Sequence, residues 1–337
     1  MGEPSSRAKA LISVSCLVSA LAATGPCDIY ALDTPCIAAH STTRALYGGY
    51  AGALYRVRRA VDNATLDVGV ADDGLADAAA QEAFCGARDC AVVQIFDQSP
   101  SGNHLFVGIA GSSGGGKPDA GVNASRQPLT LGGRAVYGAY FEGKMGYRTA
   151  NATGVATGDA PESMYVVTAG RHWNDGCCFD YGNAAPDARD HGRGTMEALY
   201  FGNRTKPTWS RGAGTGPWVM ADLESGLWAG NESVNPQNQP VDADVVTAML
   251  KGRPGGFALK ASDAATGPLA LLYDGPRPNQ TGYDPMSKQG AIVLGTGGDN
   301  SNDGVGTFFE GAITAGYATD ATDAAIQANI VAAGYEL

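Results

Sequence analysis

Positive charge is scarce in this chain of 337 residues: 23 lysines and arginines stand against 34 aspartates and glutamates, a formal net charge of −11. Because no basic stretch offsets that excess, the sequence argues against nucleic acid as a partner. After the first 24 residues no run is apolar enough to cross a bilayer, so no membrane partner is expected either. Low-complexity segments and repeats of about 20–50 residues are also lacking, which favours a single domain.

Histidine is almost as scarce, and the four that occur lack the spacing of zinc ligands. These four are His40, His104, His172 and His191. Residues 111–115 fit the Gly-x-Ser-x-Gly pattern of serine hydrolases, but that pattern must open a helix, which the following glycines and Pro118 prevent. Pro118 also replaces the hydroxyl residue that a phosphate-binding loop requires. We therefore expect a plain loop at residues 111–116, no metal and no cofactor.

The first 24 residues have the pattern of a secretory signal peptide. Arg7 and Lys9 supply positive charge, residues 10–18 are mostly apolar, and residues 20–22 match a cleavage site. We predict a secreted, extracellular protein with one domain over residues 25–337. Six Asn-x-Ser/Thr sequons fit a glycosylated exterior. They begin at Asn63, Asn123, Asn151, Asn203, Asn231 and Asn279.

Six cysteines follow the signal peptide, and their local grouping favours three short disulfide loops. The predicted pairs are Cys27 with Cys36, Cys85 with Cys90, and Cys177 with Cys178. A trans peptide places neighbouring Cα atoms about 3.8 Å apart, below the roughly 4.4–6.8 Å usual for a disulfide, so the vicinal pair would close a strained ring. Such strain is more often kept at a functional surface than in a core. The alternative is that each of these two cysteines pairs with a distant partner.

Secondary structure is predicted to be mostly β, as a sandwich or a barrel, because short apolar or alternating runs are separated by glycine, asparagine, aspartate and proline. The predicted strands include residues 91–96, 163–168, 195–201, 218–223, 256–260, 269–273 and 291–294. Helical patterns occur at residues 77–84 and 320–333. The second helix is expected to have an apolar face of Ala325, Ile326, Ile330 and Val331.

Two acids lie close together in residues 218–224. Because side chains alternate along a strand, Asp222 and Glu224 should share an exposed face with Trp218 and Met220, while residues 219, 221 and 223 face the core. Two carboxyl groups this close resist full ionisation, which is common at catalytic sites. A solvated sheet face with incidental acids is the alternative.

A third acid, Asp299, lies in a glycine-rich loop after the apolar run 291–294. Glycine lets a backbone approach a ligand closely, and a poorly solvated acid there suits proton donation. The spacing of Asp299, Ser301, Asp303 and Glu310 also resembles a calcium-binding EF-hand loop, although the flanks look like strands rather than helices. A calcium-stabilised binding module is therefore an alternative function.

Taken together, six strings resemble the catalytic domain of glycoside hydrolase family 54, whose members are secreted α-L-arabinofuranosidases. The strings are residues 27–30, 39–47, 97–99, 102–105, 177–183 and 298–302. The resemblance extends over about residues 25–335. It implies an all-β fold, a two-sheet β-sandwich of jelly-roll or concanavalin-like type with short peripheral helices.

The resemblance also implies a retaining mechanism in which Glu224 is the nucleophile and Asp299 the general acid/base. It implies a set of sugar-binding residues around them, namely Asp222, Trp209, Cys177, Cys178 and Gly298. The implied substrates carry terminal, non-reducing arabinofuranose, as in arabinoxylan, arabinan and related oligosaccharides. Glu224 is expected to be ionised and Asp299 protonated at the start of the reaction, and we expect a monomer.

Members of this family commonly continue into a C-terminal arabinose-binding β-trefoil, which these 337 residues do not include. We therefore expect cleavage of soluble oligosaccharides and aryl arabinofuranosides rather than tight binding to insoluble arabinoxylan. A non-catalytic, lectin-like sandwich that binds pentose side chains is the alternative to an enzyme.

Overall fold

A computed structural model describes residues 24–337 and, within them, two antiparallel β-sheets. The predicted signal peptide lies, apart from Thr24, outside the described residues. Sheet A has nine strands: β1 (Cys36–Ser41), β6 (Gln127–Leu131), β7 (Arg134–Phe141), β9 (Glu162–Ala169), β14 (Val245–Arg253), β15 (Gly256–Asp263), β16 (Ala270–Pro276), β18 (Gly306–Ala315) and β19 (Tyr335–Glu336). Sheet B has ten: β2 (Ala53–Arg59), β3 (Thr65–Gly69), β4 (Cys90–Ile95), β5 (Leu105–Val107), β8 (Tyr147–Thr149), β10 (Asp180–Ala184), β11 (Glu197–Gly202), β12 (Trp218–Asp222), β13 (Leu227–Trp228) and β17 (Ala291–Leu294).

One contiguous apolar core takes side chains from both sheets, which makes the fold a sandwich rather than a barrel. Val166 and Ile313 enter it from sheet A, and Val219 and Leu294 enter it from sheet B. All seven predicted strands are present with small differences at their ends. In sheet B the strands that matter for the site are neighbours in the order β13-β12-β11-β10-β17-β8.

The described helices are short and peripheral: α1 (Pro26–Tyr30), α2 (Ala78–Cys85) and α3 (Asp320–Ala333). Helix α3 begins and ends where the sequence predicts, because Thr319 accepts a hydrogen bond from the Thr322 amide and Gly334 adopts a left-handed conformation. Its predicted face was only partly right. Ile326 and Ile330 are buried, but Ala325 is exposed. Polar residues of the helix, such as Asp323 and Gln327, complete the buried face instead. No helix in residues 24–337 is long and apolar enough to span a membrane.

A buried ion pair at sheet A contradicts the EF-hand interpretation of residues 299–310. Arg44 contacts both carboxylate oxygens of Glu310, at 2.5 and 2.7 Å, and the hydroxyls of Tyr165 and Tyr335 donate to the same carboxylate. Glu310 is therefore satisfied inside the sheet, and Asp303 pairs instead with Lys144. These oxygens do not converge on a cation, and strands rather than helices flank the loop.

Replacement of Arg44 by methionine is expected to lower the free energy of unfolding by about 3–5 kcal/mol, because it leaves the Glu310 carboxylate buried without its cation. The matched control is Arg56→Met, which breaks an exposed pair with Asp67 and should cost no more than about 1 kcal/mol. Urea unfolding followed by fluorescence measures both variants. If the two variants lose equal free energy of unfolding, the Arg44–Glu310 pair does not contribute as a buried ion pair.

Candidate active site

The candidate site lies on the outer face of sheet B, above β10, β11 and β12. As the alternation predicts, Val219, Ala221 and Leu223 belong to the main core, while Trp218 and Met220 point to the other side. That other side is not exposed, so this part of the prediction was wrong. A second apolar cluster covers it; the cluster consists of Cys178, Tyr200, Trp218, Met220, Leu227 and Ala229, with Cys177 and Trp209 at its edge.

Glu224 is held in the turn between β12 and β13. Its backbone and that of Ser225 adopt left-handed conformations, with φ of 61° and 58°, which non-glycine residues seldom do. The turn is fixed by Asp222, whose Oδ1 accepts from the Glu224 amide at 3.0 Å, and by Tyr283, whose hydroxyl donates to the Glu224 carbonyl at 3.0 Å. Glu224 Oε2 is buried and has no hydrogen-bond partner among the described residues. Strained backbone beside an unpaired buried oxygen is typical of a functional position.

Asp299 is held in the loop that follows β17. Its Oδ1 accepts from the Ser301 amide at 2.9 Å, and its Oδ2 accepts from the Ser113 hydroxyl at 2.6 Å. Arg148 of β8 is buried beneath the loop and donates to the carbonyls of Gly297 and Gly298, at 3.1 and 2.6 Å. These contacts fix the backbone on both sides of the acid.

Gly298 brings the two predicted catalytic residues together. A Cβ atom added to Gly298 would lie 2.5 Å from Glu224 Oε2, too close for any side chain. The neighbour of Asp299 in the chain therefore abuts the carboxylate of Glu224. Two acids from distant parts of the sequence share one site, as the resemblance implies.

Gly298→Ala is expected to reduce kcat by about 10²-fold, because the added methyl group displaces the Glu224 carboxylate. A smaller loss of stability should accompany it, since the same methyl group lies 3.0 Å from the sulfur of the buried Met196. Gly49→Ala serves as the control, since a Cβ there meets no neighbour within 4 Å. Steady-state kinetics and melting temperature are measured together. Full activity in Gly298→Ala would show that Glu224 need not keep its place.

The three predicted disulfides are all present. Cys27 pairs with Cys36, Cys85 with Cys90, and Cys177 with Cys178, whose peptide bond is cis rather than trans as assumed above. The vicinal disulfide lies at the site, with Cys178 Sγ 3.5 Å from Asp222 Oδ2. Although the two sulfurs and this carboxylate lie within 4.8 Å of one another, sulfurs joined to each other offer no thiolate to a metal ion.

Trp209 lies beside the disulfide at the edge of the second apolar cluster, and its indole N–H donates to the Ser225 carbonyl at 3.2 Å. Lys206 lies 4.2 Å from the centre of the Trp209 ring. The structure thus places all of the predicted site residues around one region: Glu224, Asp299, Asp222, Trp209, Cys177, Cys178 and Gly298.

The electrostatics of the site are dominated by buried acids. Burial, followed by the charges of Asp222, Asp190 and Asp299, raises the pKa of Glu224 to about 9. Burial likewise raises the pKa of Asp222 to about 7. These surroundings oppose the ionised form of Glu224 that a nucleophile requires. That Glu224 is ionised at the start of the reaction remains a prediction.

Asp190 is an exposed acid whose charge contributes to the raised pKa of Glu224, and its carboxylate accepts from the Ser225 hydroxyl at 3.2 Å. Asp190→Asn should lower the pKa of Glu224. The acidic limb of the kcat/KM profile should therefore move to lower pH, by a few tenths of a unit at low salt. Asp242→Asn, another exposed acid, which pairs with Arg171, is the control. If the acidic limb moves to higher pH in Asp190→Asn, or moves equally in both variants, the charge of Asp190 does not raise the pKa of Glu224.

Several functional residues escaped sequence reasoning. Ser113 lies in the glycine-rich segment that was expected to be a plain loop; its hydroxyl bonds to a carboxylate and not to a histidine, so it is not the serine of a triad. Arg148 carries no sequence signal, because only the tertiary fold buries it under the loop of Asp299. Asp180 lies within one of the strings that carry the family resemblance, but its burial is visible only in the structure.

Comparisons with known proteins agree with this geometry. A family model described as "Alpha-L-arabinofuranosidase B, catalytic" matches residues 26–336. A probable α-L-arabinofuranosidase B of Aspergillus fumigatus is 50% identical over 96% of the chain, and an arabinofuranosidase/β-xylosidase of Trichoderma koningii is 49% identical over 96%. The chain spans 64% and 66% of the length of these two relatives.

Solved structures give the same result. A crystal structure of an arabinofuranosidase complexed with arabinofuranosyl-α-1,2-xylobiose superposes with a TM-score of 0.90 at 47% identity, over 93% of this chain and 66% of that one. A glutamate-to-glutamine variant of a glycoside hydrolase family 54 α-L-arabinofuranosidase, soaked with 4-nitrophenyl α-L-arabinofuranoside, matches with the same TM-score, identity and shares of the two chains. With the family model covering nearly every described residue, this chain belongs to the α-L-arabinofuranosidase B catalytic family, glycoside hydrolase family 54.

Proposed function

We propose that this protein is a retaining exo-α-L-arabinofuranosidase that releases terminal arabinofuranosyl residues from arabinose-containing oligosaccharides and polysaccharides. The observation that carries the proposal is the buried oxygen of Glu224, unpartnered among the described residues and set against the loop of Asp299, on the face of sheet B that also carries the vicinal disulfide and Trp209. A related arabinofuranosidase was crystallised with arabinofuranosyl-α-1,2-xylobiose, which supports this class of substrate.

In the first step, Glu224 attacks the anomeric carbon while Asp299 gives its proton to the glycosidic oxygen. The bond to the leaving group breaks as an arabinosyl ester of Glu224 forms. In the second step, Asp299 takes a proton from water, and the resulting nucleophile attacks the same carbon and frees Glu224. The two inversions give net retention, a course that requires the carboxyl groups to lie about 5–5.5 Å apart.

The surrounding residues have separate tasks in this scheme. Asp222, which is anchored on the Glu224 amide, accepts a hydrogen bond from a sugar hydroxyl. The disulfide and Trp209 supply apolar surfaces for the faces of the furanose ring. Ser113 and the Ser301 amide orient the Asp299 carboxyl group, and Arg148 holds the loop in place.

The setting that suits this activity is extracellular. Three disulfides fit an oxidising compartment, and the predicted signal peptide would send the protein there. The asparagines of the six sequons are exposed or partly exposed, which supports glycosylation of the protein, although the Nδ2 of Asn203 already donates to the Thr215 carbonyl. We include plant cell-wall arabinoxylan and arabinan among the natural substrates.

The test is the release of nitrophenol from 4-nitrophenyl α-L-arabinofuranoside, with proton NMR to follow the configuration of the first sugar product. We expect turnover and an α product. Binding of the arabinoside without turnover would favour a lectin-like sandwich, and a β product would exclude the double displacement. A 4-nitrophenyl β-xyloside belongs in the same assay, because one relative is named for both activities.

A further inference from the structure

Asp180 is a fourth acid at the site for which the mechanism above has no use. It is the first residue of β10 and pairs in register with Tyr200 of β11, which in turn pairs with Met220 of β12. Because side chains at paired positions point to the same side of a sheet, Asp180 lies on the face that carries Met220 and Asp222. Its side chain is buried, at 1% exposure.

The carboxyl group of Asp180 has an unusual set of neighbours. Neither of its oxygens receives a hydrogen bond from an N–H or O–H group among residues 24–337. The polar group that acts on it most directly is the carboxyl group of Asp222, which lies on the same face of the sheet and within reach of a hydrogen bond if one of the two acids is protonated. Two ionised carboxylates only repel each other, so this contact requires a proton on one of them.

The other groups around the pair do not change this requirement. The charged side chains that act on Asp180 are those of Asp222, Glu224 and Asp299, all of them acids. Tyr200 of β11 is neutral and directs its hydroxyl to the Gly176 carbonyl. Cys178, the remaining neighbour of Asp222, is a disulfide sulfur with no proton to give.

Arg148 is a buried cation that interacts with Glu224 and Asp299, but its hydrogen bonds are directed elsewhere. Its guanidinium group donates to the carbonyls of Ala185, Gly297 and Gly298. Burial and the charge of Asp222 raise the pKa of Asp180 well above the ordinary value, because no cation offsets the neighbouring acids. The protonated form of Asp180 is therefore favoured. Asp222 is the better candidate for the anion, because the Glu224 amide already donates to it.

We propose that Asp180 is a positioning residue of the proposed glycosidase reaction, a protonated acid that donates its hydrogen bond to Asp222 and so keeps Asp222 anionic and aimed at the sugar. The inference rests on the proposed function, since the task of Asp222 is to accept a sugar hydroxyl. It explains why the site can contain an acid that touches neither the reacting carbon nor the leaving group.

Asp180→Asn and Asp180→Leu together test the proposal through the pH dependence of kcat/KM on 4-nitrophenyl α-L-arabinofuranoside. Asparagine is neutral and still donates to Asp222, so the acidic limb should stay in place and activity within about threefold of wild type. Leucine removes the donor, so Asp222 holds its own proton to higher pH. Because the neighbouring carboxyl groups of Asp222 and Glu224 titrate together, the acidic limb should then move up by about one pH unit, and KM should rise about tenfold or more.

Two results would overturn the proposal. If Asp180 is ionised in the wild type, Asp180→Asn removes a negative charge, and the acidic limb moves to lower pH. If Asp180 only fills space, neither variant moves the limb. Melting temperatures show whether each variant folds; should the leucine variant fail to fold, the asparagine profile still decides between an ionised and a protonated Asp180.

Infrared difference spectroscopy separates this question from the proposed function. Wild type at pH 7 should show the carbonyl band of a protonated carboxylic acid that Asp180→Asn lacks, and absence of that band would contradict the proposal. The spectrum requires no substrate. If the wild-type protein releases no nitrophenol, the glycosidase function fails, while the spectrum still reports where the proton lies.

Discussion

Glu224→Gln should abolish turnover, by at least about 10⁴-fold in kcat, while raising the melting temperature of the protein. The loss follows from the loss of the nucleophile. The gain in stability follows from the raised pKa of Glu224: the folded state holds a proton that the unfolded chain releases near pH 4.5. Between that pH and about 9, the stability of the wild type therefore falls as pH rises.

Glutamine cannot ionise, so the variant lacks this penalty. The melting temperature of Glu224→Gln should nearly equal that of wild type at pH 5 and should exceed it increasingly toward pH 8. At pH 8 the free energy of unfolding of the variant should be greater than that of wild type by on the order of 1–3 kcal/mol. Differential scanning calorimetry across this range measures it. A difference that shrinks as pH rises would contradict the raised pKa of Glu224 in the folded protein.

Asp299→Ala is expected to lower kcat/KM by about 10²–10⁴-fold for substrates with poor leaving groups, and much less for dinitrophenyl arabinosides, which need no proton to depart. Its partner experiment is Glu224→Ala with the same substrates, where the leaving group cannot rescue the missing nucleophile. Both variants are assayed with a series of aryl α-L-arabinofuranosides. A loss in Asp299→Ala that is independent of the leaving group would remove Asp299 from the acid role.

Azide distinguishes the two roles by stereochemistry. In Glu224→Ala it replaces the nucleophile and should give a β-arabinosyl azide, formed by a single inversion. In Asp299→Ala it attacks the covalent intermediate and should give an α-arabinosyl azide. Reversal of these two products would exchange the assignments of Glu224 and Asp299.

Much of the fold could be predicted from the sequence because local signals and tertiary packing agree. Strand 291–294 and helix 320–333 have the predicted ends, where caps or turn residues stop them. Alternation along β12 correctly separated Val219 and Ala221 from Asp222. The disulfide pairs could be predicted because the six cysteines are grouped in twos along the chain, with sequence separations of 9, 5 and 1 residues between partners. Partners this close in sequence lose little chain entropy when they pair.

What could not be predicted was the covering of the outer face of sheet B. Whether Asp222 is solvated or buried depends on the loops that carry Cys177, Trp209 and Asp299, and loop placement has no periodic signal in a sequence. The same holds for Ser113 and Arg148, whose contacts with the loop of Asp299 join residues more than 140 positions apart. The raised pKa of Glu224 follows from that burial and therefore could not be predicted from the sequence either.

Strand β10 pairs with β11, its neighbour in the chain, on one side and with the distant strand β17 on the other, so the two acids of the reaction meet only when the β10–β17 pairing has closed. The predicted site residues all lie in the second half of the polypeptide, but Ser113 and Arg148, which fix the loop of Asp299, come from the first half. Enzymatic activity regained after dilution from denaturant should consequently appear late, with the closing of the last long-range contacts, and can serve as a reporter of complete renaturation.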